Sequence, residues 1–294
     1  MSSVERELLG LKAQSLRLGK VFARHKLGVV GVVMVALFVG AAVLAPYVAP
    51  YDPYTMNLDN AFQPPSSPGH LLGTDNFGRD ILSRLIFGSR ISLLIGMVVV
   101  SIATVTGTCL GLLSGYYGGW VDQAIMRLVE VFYSFPFLVL VIAVMALFGP
   151  SIFNVMWVLG FVSWPMYARL VRAQVLSLKT TDFVAAARAT GCGDLRIMFR
   201  HILPNTLTPV IVSATLGIPS AILASAALGF LGFGVQPPTP EWGAMVSEGK
   251  DFIFLHSNMI IWPGLCIFLV VLSFNFIGDA LRDALDPRLS KQLH

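Results

Sequence analysis

Six Lys/Arg stand between residues 169 and 200, flanked by stretches (131–168 and 201–240) without a single Lys, Arg, Asp or Glu. Within and just beyond that basic segment runs DFVAAARATGCGDLRIMFRHILP (182–204), rich in alanine, punctuated by Gly191 and Gly193 and closed by Pro204. Such a segment makes no or breaks no bonds by itself. It reads as a docking surface for a soluble partner. The residue types that do bond chemistry are scattered. His25, His70, His201, His256 and His294 include no pair at helical ligand spacing, so no metal site is indicated. No Ser/His/Asp or paired-carboxylate constellation forms a unit, and no GxxxxGK[ST] phosphate loop occurs. Gly229, Gly232 and Gly234 have no strand before them and do not read as a nucleotide loop.

The elements that must position this segment are apolar helices. Of 294 residues, 55% are hydrophobic and 12% charged. A soluble domain carries roughly a quarter charged residues. Uncharged runs cover 27–51, 91–121, 131–168, 201–240 and 252–278, and a run of about 18 or more such residues reads as a membrane span. The 131–168 run is long enough for two spans, with Gly149-Pro150-Ser151 as the turn between them. Six spans are expected, near 28–49, 91–115, 131–149, 152–170, 207–230 and 259–279. The first has 26 residues before it and exceeds the h-region of a cleaved signal, so it reads as a retained span. Cys109 and Cys266 fall in spans and Cys192 in the basic segment, so no disulfide framework is expected.

Orientation follows from the retention of Lys and Arg on the cytoplasmic side. With the N-terminus inside, the segments 1–26, 122–130, 169–200 and 279–294 hold sixteen Lys/Arg against four in 52–90 and 241–251. Arg79, Arg84 and Arg90 then lie outside. Ile81, Leu82, Leu85 and Ile86 recur between them at helical spacing, which predicts an amphipathic surface helix over 77–90 with its arginines toward headgroups or water. The alternative is the frayed beginning of span two. Residues 46–68, with six prolines, are expected to be extended or turn-rich. A second outer segment, 231–258, carries Pro237-Pro238-Thr239-Pro240, then Glu241 and Trp242, with Glu248 further on.

Within the spans, Gly107, Gly111 and Gly115 repeat every four residues and predict a close helix–helix contact. Pro136, Pro165, Pro219 and Pro263 predict kinks. No span has a central Asp, Glu, Lys or Arg, which disfavours a proton- or sodium-coupled carrier. In the basic segment, Thr180, Thr181 and Asp182 are N-cap residues. Phe183–Thr190 is a short narrow helix, Gly191 suits the C′ position, and Asp194 caps a second short helix, 195–203, which Pro204 follows. The residues alone leave two readings open, a rod that enters a partner's cleft or an ordinary interfacial helix.

The segment resembles the EAA loop of bacterial ABC importer permeases, whose pattern is EAA, three residues, Gly, nine residues, Ile-x-Leu-Pro. Aligned on Gly191, the pattern falls on Ala185-Ala186-Ala187, Gly191, His201, Leu203 and Pro204, with its spacing preserved. Ala185 stands where the family has an acidic residue, and Asp182 offers a carboxylate one turn earlier. His201 stands where the family has Ile, a change usual in its peptide branch. HLLGTDNFGRDILSRLIFGSRISLLIG (70–96), YYGGWVDQAIMRLVEVFYSFP (116–136), LGFLGFGVQPPTPEWGAMV (228–246) and NFIGDALRDALDPR (275–288) are similar to the second, C-type permease subunit of dipeptide and oligopeptide systems.

The resemblance implies an all-α membrane protein with six transmembrane helices and the type I ABC importer permease fold. It implies a cytoplasmic segment 1–27, a first span 28–49, an extracytoplasmic segment 50–90, a core 91–280 with an EAA-type loop 171–206, and a tail 281–294. It implies ATPase coupling through Asp182, Ala185, Ala186, Ala187, Gly191, His201, Leu203 and Pro204. Binding-protein or gate contacts are expected at Glu241, Trp242 and Glu248. Implied partners are a homologous permease, one or two cytoplasmic ABC ATPase subunits, an extracytoplasmic solute-binding protein, the bilayer and a peptide solute, with no nucleic acid and no cofactor. The implied location is the bacterial cytoplasmic membrane, with both termini inside, and this chain would not itself be an enzyme. Nickel and glutathione importers use similar permeases, and an ATP-independent channel or carrier is the alternative of a different class.

Overall fold

The structure is a computed structural model that describes residues 22–23 and 25–285. The expected terminal segments 1–27 and 281–294, including the Asp286-Pro287-Arg288 end of the last motif, lie mostly outside those residues. Among the described residues the chain is helical, with only isolated bridges at Ser67–His70 and Thr74–Asp80. The helices of eight or more residues among those described are α1 (Lys26–Val43), α2 (Ile81–Tyr117), α3 (Gly119–Tyr133), α4 (Phe137–Phe148), α5 (Ile152–Leu178), α6 (Asp182–Ala189), α7 (Leu203–Phe230), α8 (Trp242–Gly249) and α9 (Asn258–Leu285).

Among the described residues, four helices are long and apolar enough to cross a membrane: α1, α2, the continuous helix Asp194–Phe230 that includes α7, and α9. The α3–α4 pair makes a fifth if it is counted as one span bent by 92°. This differs from the six expected spans in two places. The third expected span, 131–149, is broken at Ser134–Pro136, because Pro136 cannot donate a backbone hydrogen bond and excludes the helical region for Phe135. What remains is α4, whose 12 residues extend only about 18 Å. The fourth, α5, has 27 residues, ample length, but Asn154, Ser163, Arg169 and Arg172 make it more polar than the other long helices. It packs more extensively on α2 than on any other helix.

That α2–α5 contact is where the glycine repeat acts. A Cβ on Gly111 would lie 2.5 Å from the Ala168 carbonyl oxygen, and one on Gly115 2.7 Å from the Val175 Cβ. Only hydrogen at those positions allows the two backbones to approach so closely. The α4–α5 turn also forms as the sequence predicts, with Gly149 at φ +81°. Asn154 Nδ2 donates to the Phe148 and Gly149 carbonyls at 2.9 and 3.0 Å, occupying acceptors that the helix end leaves free.

Of the four apolar clusters among the described residues, three mark the middle and the two ends of the bundle. One, around Ile95, Val141, Met145, Val155 and Leu159, joins α2, α4 and α5 near mid-length. One lies at the end bearing residues 50–80 and α8, around Ile81, Leu85, Trp242 and Met259. One lies at the opposite end beneath α6, around Val171, Val175, Val184 and Ile197. Around them α1 exposes Val29, Val30, Val33 and Leu37, and α9 exposes Ile261 and Phe268. Apolar side chains facing outward along helices of this length suit a hydrocarbon surrounding.

Candidate functional site

The rod at 182–189 forms where the residues predict it. Thr181 occupies the N-cap with extended backbone, but its hydroxyl turns away from α6 and donates to the Leu178 carbonyl at 2.6 Å. At the other end Gly191 has φ +78°. Its N–H donates to the Arg188 carbonyl at 2.9 Å, and the Cys192 N–H donates to the Ala187 carbonyl at 3.1 Å. Those two bonds are a Schellman closure, which requires a left-handed residue at the glycine position.

The rod has two faces. Val184 and Ala187 are buried on the platform of Val175, Ile197, Met198 and Ile202. Asp182, Ala185 and Ala186 are exposed, as is Gly191 beyond them, and Phe183, Leu195 and Phe199 add exposed apolar surface beside them. Of the residues assigned to coupling, Ala187 therefore anchors the rod, while Asp182, Ala185, Ala186 and Gly191 are presented outward. Pro204 is exposed, and His201 and Leu203 are half-buried.

The second short helix departs from expectation. Asp194–Arg196 is helical, but Pro204 does not end the run. Residues Ile197–Ile202 form a π-helical turn that leads directly into α7. Pro204 lacks an N–H and its ring crowds the carbonyl one turn earlier. Widening the preceding turn relieves both conditions. Pro204 then stands just after the widened turn, inside the continuous helix Asp194–Phe230.

The opposite end corrects two further expectations. Residues 77–90 are not a separate amphipathic helix, nor a frayed end: α2 begins at Ile81 and runs unbroken for 37 residues. Asp80 caps it, accepting from the Ser83 N–H at 2.8 Å. Arg79 and Arg84 face the protein interior, each with 1% of its side chain exposed. Arg79 Nε donates to Asp75 Oδ2 at 2.6 Å and its Nη2 to Glu248 Oε2 at 2.9 Å. Arg84 Nη1 donates to the same Asp75 oxygen and, at 2.7 Å, to Glu248 Oε2. Two cations and two anions thus share a buried site, which offsets the cost of removing each from water. Arg90 is exposed.

Glu241, Trp242 and Glu248 were expected as outward contacts, yet within this chain they face inward. Glu241 is 1% exposed and accepts from Ser92 Oγ and the Ala244 N–H, each at 2.8 Å. Trp242 is fully buried, donates from Nε1 to the Leu85 carbonyl at 3.1 Å and meets Phe38 edge-on. These residues and Glu248 pin α8 to α1, α2 and the 50–80 segment. Sequence reading missed the cluster because Glu248 lies 164 residues from Arg84. Only the Asp75–Arg79 spacing, four residues, was a local signal.

Between the two ends lies an apolar cavity of about 360 Å³, bounded by α2, α3, α4, α5 and α7 and lined by Phe132, Tyr133, Ser163, Tyr167 and Ser220 among others. Its polar atoms are few hydroxyls, which can orient a solute but carry no charge.

With the geometry in place, the likenesses to known proteins are informative. Residues 107–291 match the family described as binding-protein-dependent transport system inner membrane component, and residues 17–65 match the N-terminal TM domain of oligopeptide transport permease C. The chain is 49% identical over 275 residues to the dipeptide transport system permease protein DppC of Escherichia coli (strain K12), covering 92% of each chain. It is 46% identical to the DppC protein of Alkalihalophilus pseudofirmus, covering 92% of this chain and 88% of that one. It is 44% identical to the glutathione transport system permease protein GsiD of Pectobacterium atrosepticum, covering 91% and 89%. In fold it is similar to a chain of the MetNI methionine ABC transporter in an inward-facing conformation, with TM-score 0.57 and 21% identity, covering 69% of this chain and 97% of that one. It is also similar to a chain of an amino acid ABC transporter, with TM-score 0.53 and 17% identity, covering 69% and 94%. The chain belongs to the family of binding-protein-dependent transport system inner-membrane components and is a membrane permease with the type I ABC importer fold.

Proposed function

We propose that this chain is one of two homologous permease subunits of an ATP-driven importer that moves di- or oligopeptides across the bacterial cytoplasmic membrane. Both termini and α6 are cytoplasmic in this reading, and residues 50–80 with α8 are extracytoplasmic. The observation that carries it is the α6 rod: a short helix anchored on one face, closed at Gly191, with a narrow alanine surface turned outward. Small side chains let such a rod enter a cleft on a soluble ATPase. The sixteen-to-four excess of Lys/Arg supports a cytoplasmic position for it. The peptide class is supported by relatives named as dipeptide permeases at 46–49% identity.

In mechanism, a binding protein delivers the solute to the outer face. ATP-driven closure of two ATPase subunits moves α6, and the paired permeases alternate between outward- and inward-facing cavities, a shift between two conformations. Hydrolysis takes place on the ATPases, and this chain supplies the path and the coupling surface. Glutathione, itself a peptide, is the second reading favoured by a relative's name.

The test is uptake of labelled alanyl-alanine and of labelled glutathione by cells in which this chain is the only permease of its type, with an active or an inactive partner ATPase. ATP-dependent uptake of alanyl-alanine is the expected result. Uptake that persists with the inactive ATPase would instead indicate a channel or carrier, and uptake of glutathione alone would move the substrate class.

A further inference from the structure

Three consecutive residues at the α6-side end of α2 each reach a different element. Ser114 Oγ donates to Asp122 Oδ1 of α3 at 2.5 Å. The Gly115 carbonyl, one of the last-turn acceptors that a helix leaves unpaired, receives Lys179 Nζ from the end of α5 at 2.9 Å. Tyr116 donates its hydroxyl to Asp194 Oδ1 at 2.6 Å, and the Arg188 guanidinium of α6 lies over its ring at 5.6 Å. Arg172 of α5 then holds Asp122 with two bonds, from Nε at 2.5 Å and Nη2 at 2.6 Å. Ser114 is fully buried and Tyr116 nearly so.

Directly after this knot comes an unencumbered turn. Gly118 and Gly119 have φ of +67° and +54°, and nothing lies within 4 Å of a Cβ built at either. Two successive left-handed glycines without neighbours allow a change of direction at little steric cost. The arm beyond them, α3 with α4, is held to α5 at its near end by the Asp122–Arg172 pair. Its bend, between α3 and α4, carries Phe132, Tyr133, Phe135 and Phe137 into the 360 Å³ cavity.

We propose that Ser114–Tyr116 is the joint through which a displacement of α6 is passed to the α3–α4 arm, with Gly118–Gly119 as the hinge. Tyr116 and Asp122 are then positioning residues for transport. A pull on Asp194 and Arg188 shifts the end of α2. The shared carboxylate of Asp122 converts that shift into rotation of α3 about the two glycines, and the rotation re-forms the cavity wall. The inference rests on α6 being the docking rod and adds the route from that rod to the cavity.

The experiment uses the assembled complex with its partner permease and ATPases in lipid nanodiscs and proteoliposomes, supplied with binding protein and alanyl-alanine. Tyr116→Phe keeps the ring and removes the hydroxyl bond; Asp122→Asn keeps the shape and removes the charge that grips Arg172. Both are expected to retain bound ATPase, while uptake per ATP hydrolysed falls about 5-fold or more, the lower range of measured allosteric coupling. Asp122→Glu should recover part of the loss. Spin labels at Leu128 on α3 and Ser177 on α5, both exposed, report the rotation directly in a chain with its native cysteines replaced. Their distance should change between the nucleotide-free and ATP-trapped states, and Tyr116→Phe should suppress that change. A full distance change and full uptake per ATP in both Tyr116→Phe and Asp122→Asn would overturn the joint. Gly191→Val, measured in parallel, separates the two ideas. If it loses bound ATPase while Tyr116→Phe behaves as the parent, the docking rod stands and the joint falls. If it keeps full ATPase binding and uptake, the docking rod falls and the joint with it.

Discussion

At the scale of single residues, the same property, what a side chain would collide with or leave unpaired, separates function from support. Gly191 is the clearest case. A Cβ there would meet open space, so any cost of substitution comes from the backbone at φ +78° and not from a clash. For a β-branched residue that cost is roughly 1–2 kcal/mol. Gly191→Val is therefore expected to insert and pair normally but to tilt or lengthen α6, which reduces the ATPase that co-purifies with the complex. Ala185→Glu, at an exposed position, is expected to keep both ATPase binding and uptake. Arg84 is the contrasting case. Removing it leaves Asp75 and Glu248 short of a cation in a buried site, which costs about 3–5 kcal/mol where such pairs have been broken. Arg84→Ala should lower the thermal unfolding temperature of the detergent-solubilised complex sharply, and Glu248→Gln in the same background should recover part of the loss. If Arg84→Ala left unfolding unchanged, the buried ion-pair cluster would not be holding this end together.

At the scale of elements, α2 is the spine, because one helix meets α5 through its glycine face, α8 through Trp242 and α6 through Tyr116. Its 37 residues extend about 55 Å, beyond the roughly 30 Å of a hydrocarbon core, so one rigid element links both ends of the molecule. Gly111→Leu places a large side chain against the Ala168 carbonyl and must separate α2 from α5. It should abolish transport and lower the yield of folded protein, whereas Gly40→Ala, inside α1 with no neighbour to strike, should leave the yield near that of the parent. Equal yields of folded protein from Gly111→Leu and the parent would contradict the α2–α5 packing. Pro136 acts on the same scale. By ending α3 and fixing the start of α4, it turns an uncharged run into a bent arm instead of a straight span.

At the scale of the whole molecule, the prediction is topological. In a chain lacking Cys109, Cys192 and Cys266, a cysteine at Ser177 should react with an impermeant maleimide only from the cytoplasmic side, and one at Ser66 only from outside. Both positions are exposed, so failure to react cannot be attributed to burial. Reaction of both from one face of intact cells would refute the proposed orientation of the bundle.

The sequence by itself determined that the chain is a bundle of apolar helices, because a charge-free run of about 20 residues has few other stable states in lipid. It also determined the rod at 182–189 and its closure at Gly191, because caps and a left-handed glycine are local chemistry. The glycine face on α2 was legible for the same reason. Tertiary structure decided the rest. Arg79 and Arg84 read as surface arginines until Glu248, far along the chain, joined Asp75 to neutralise them. Glu241 and Trp242 read as loop-tip contacts until Ser92 and the Leu85 carbonyl received them. Residues 195–203 read as a separate short helix until the π turn ran them into α7. A local pattern specifies where a backbone can bend or pair with itself. Whether a polar side chain faces water or a buried partner depends on residues that only folding brings within hydrogen-bonding distance.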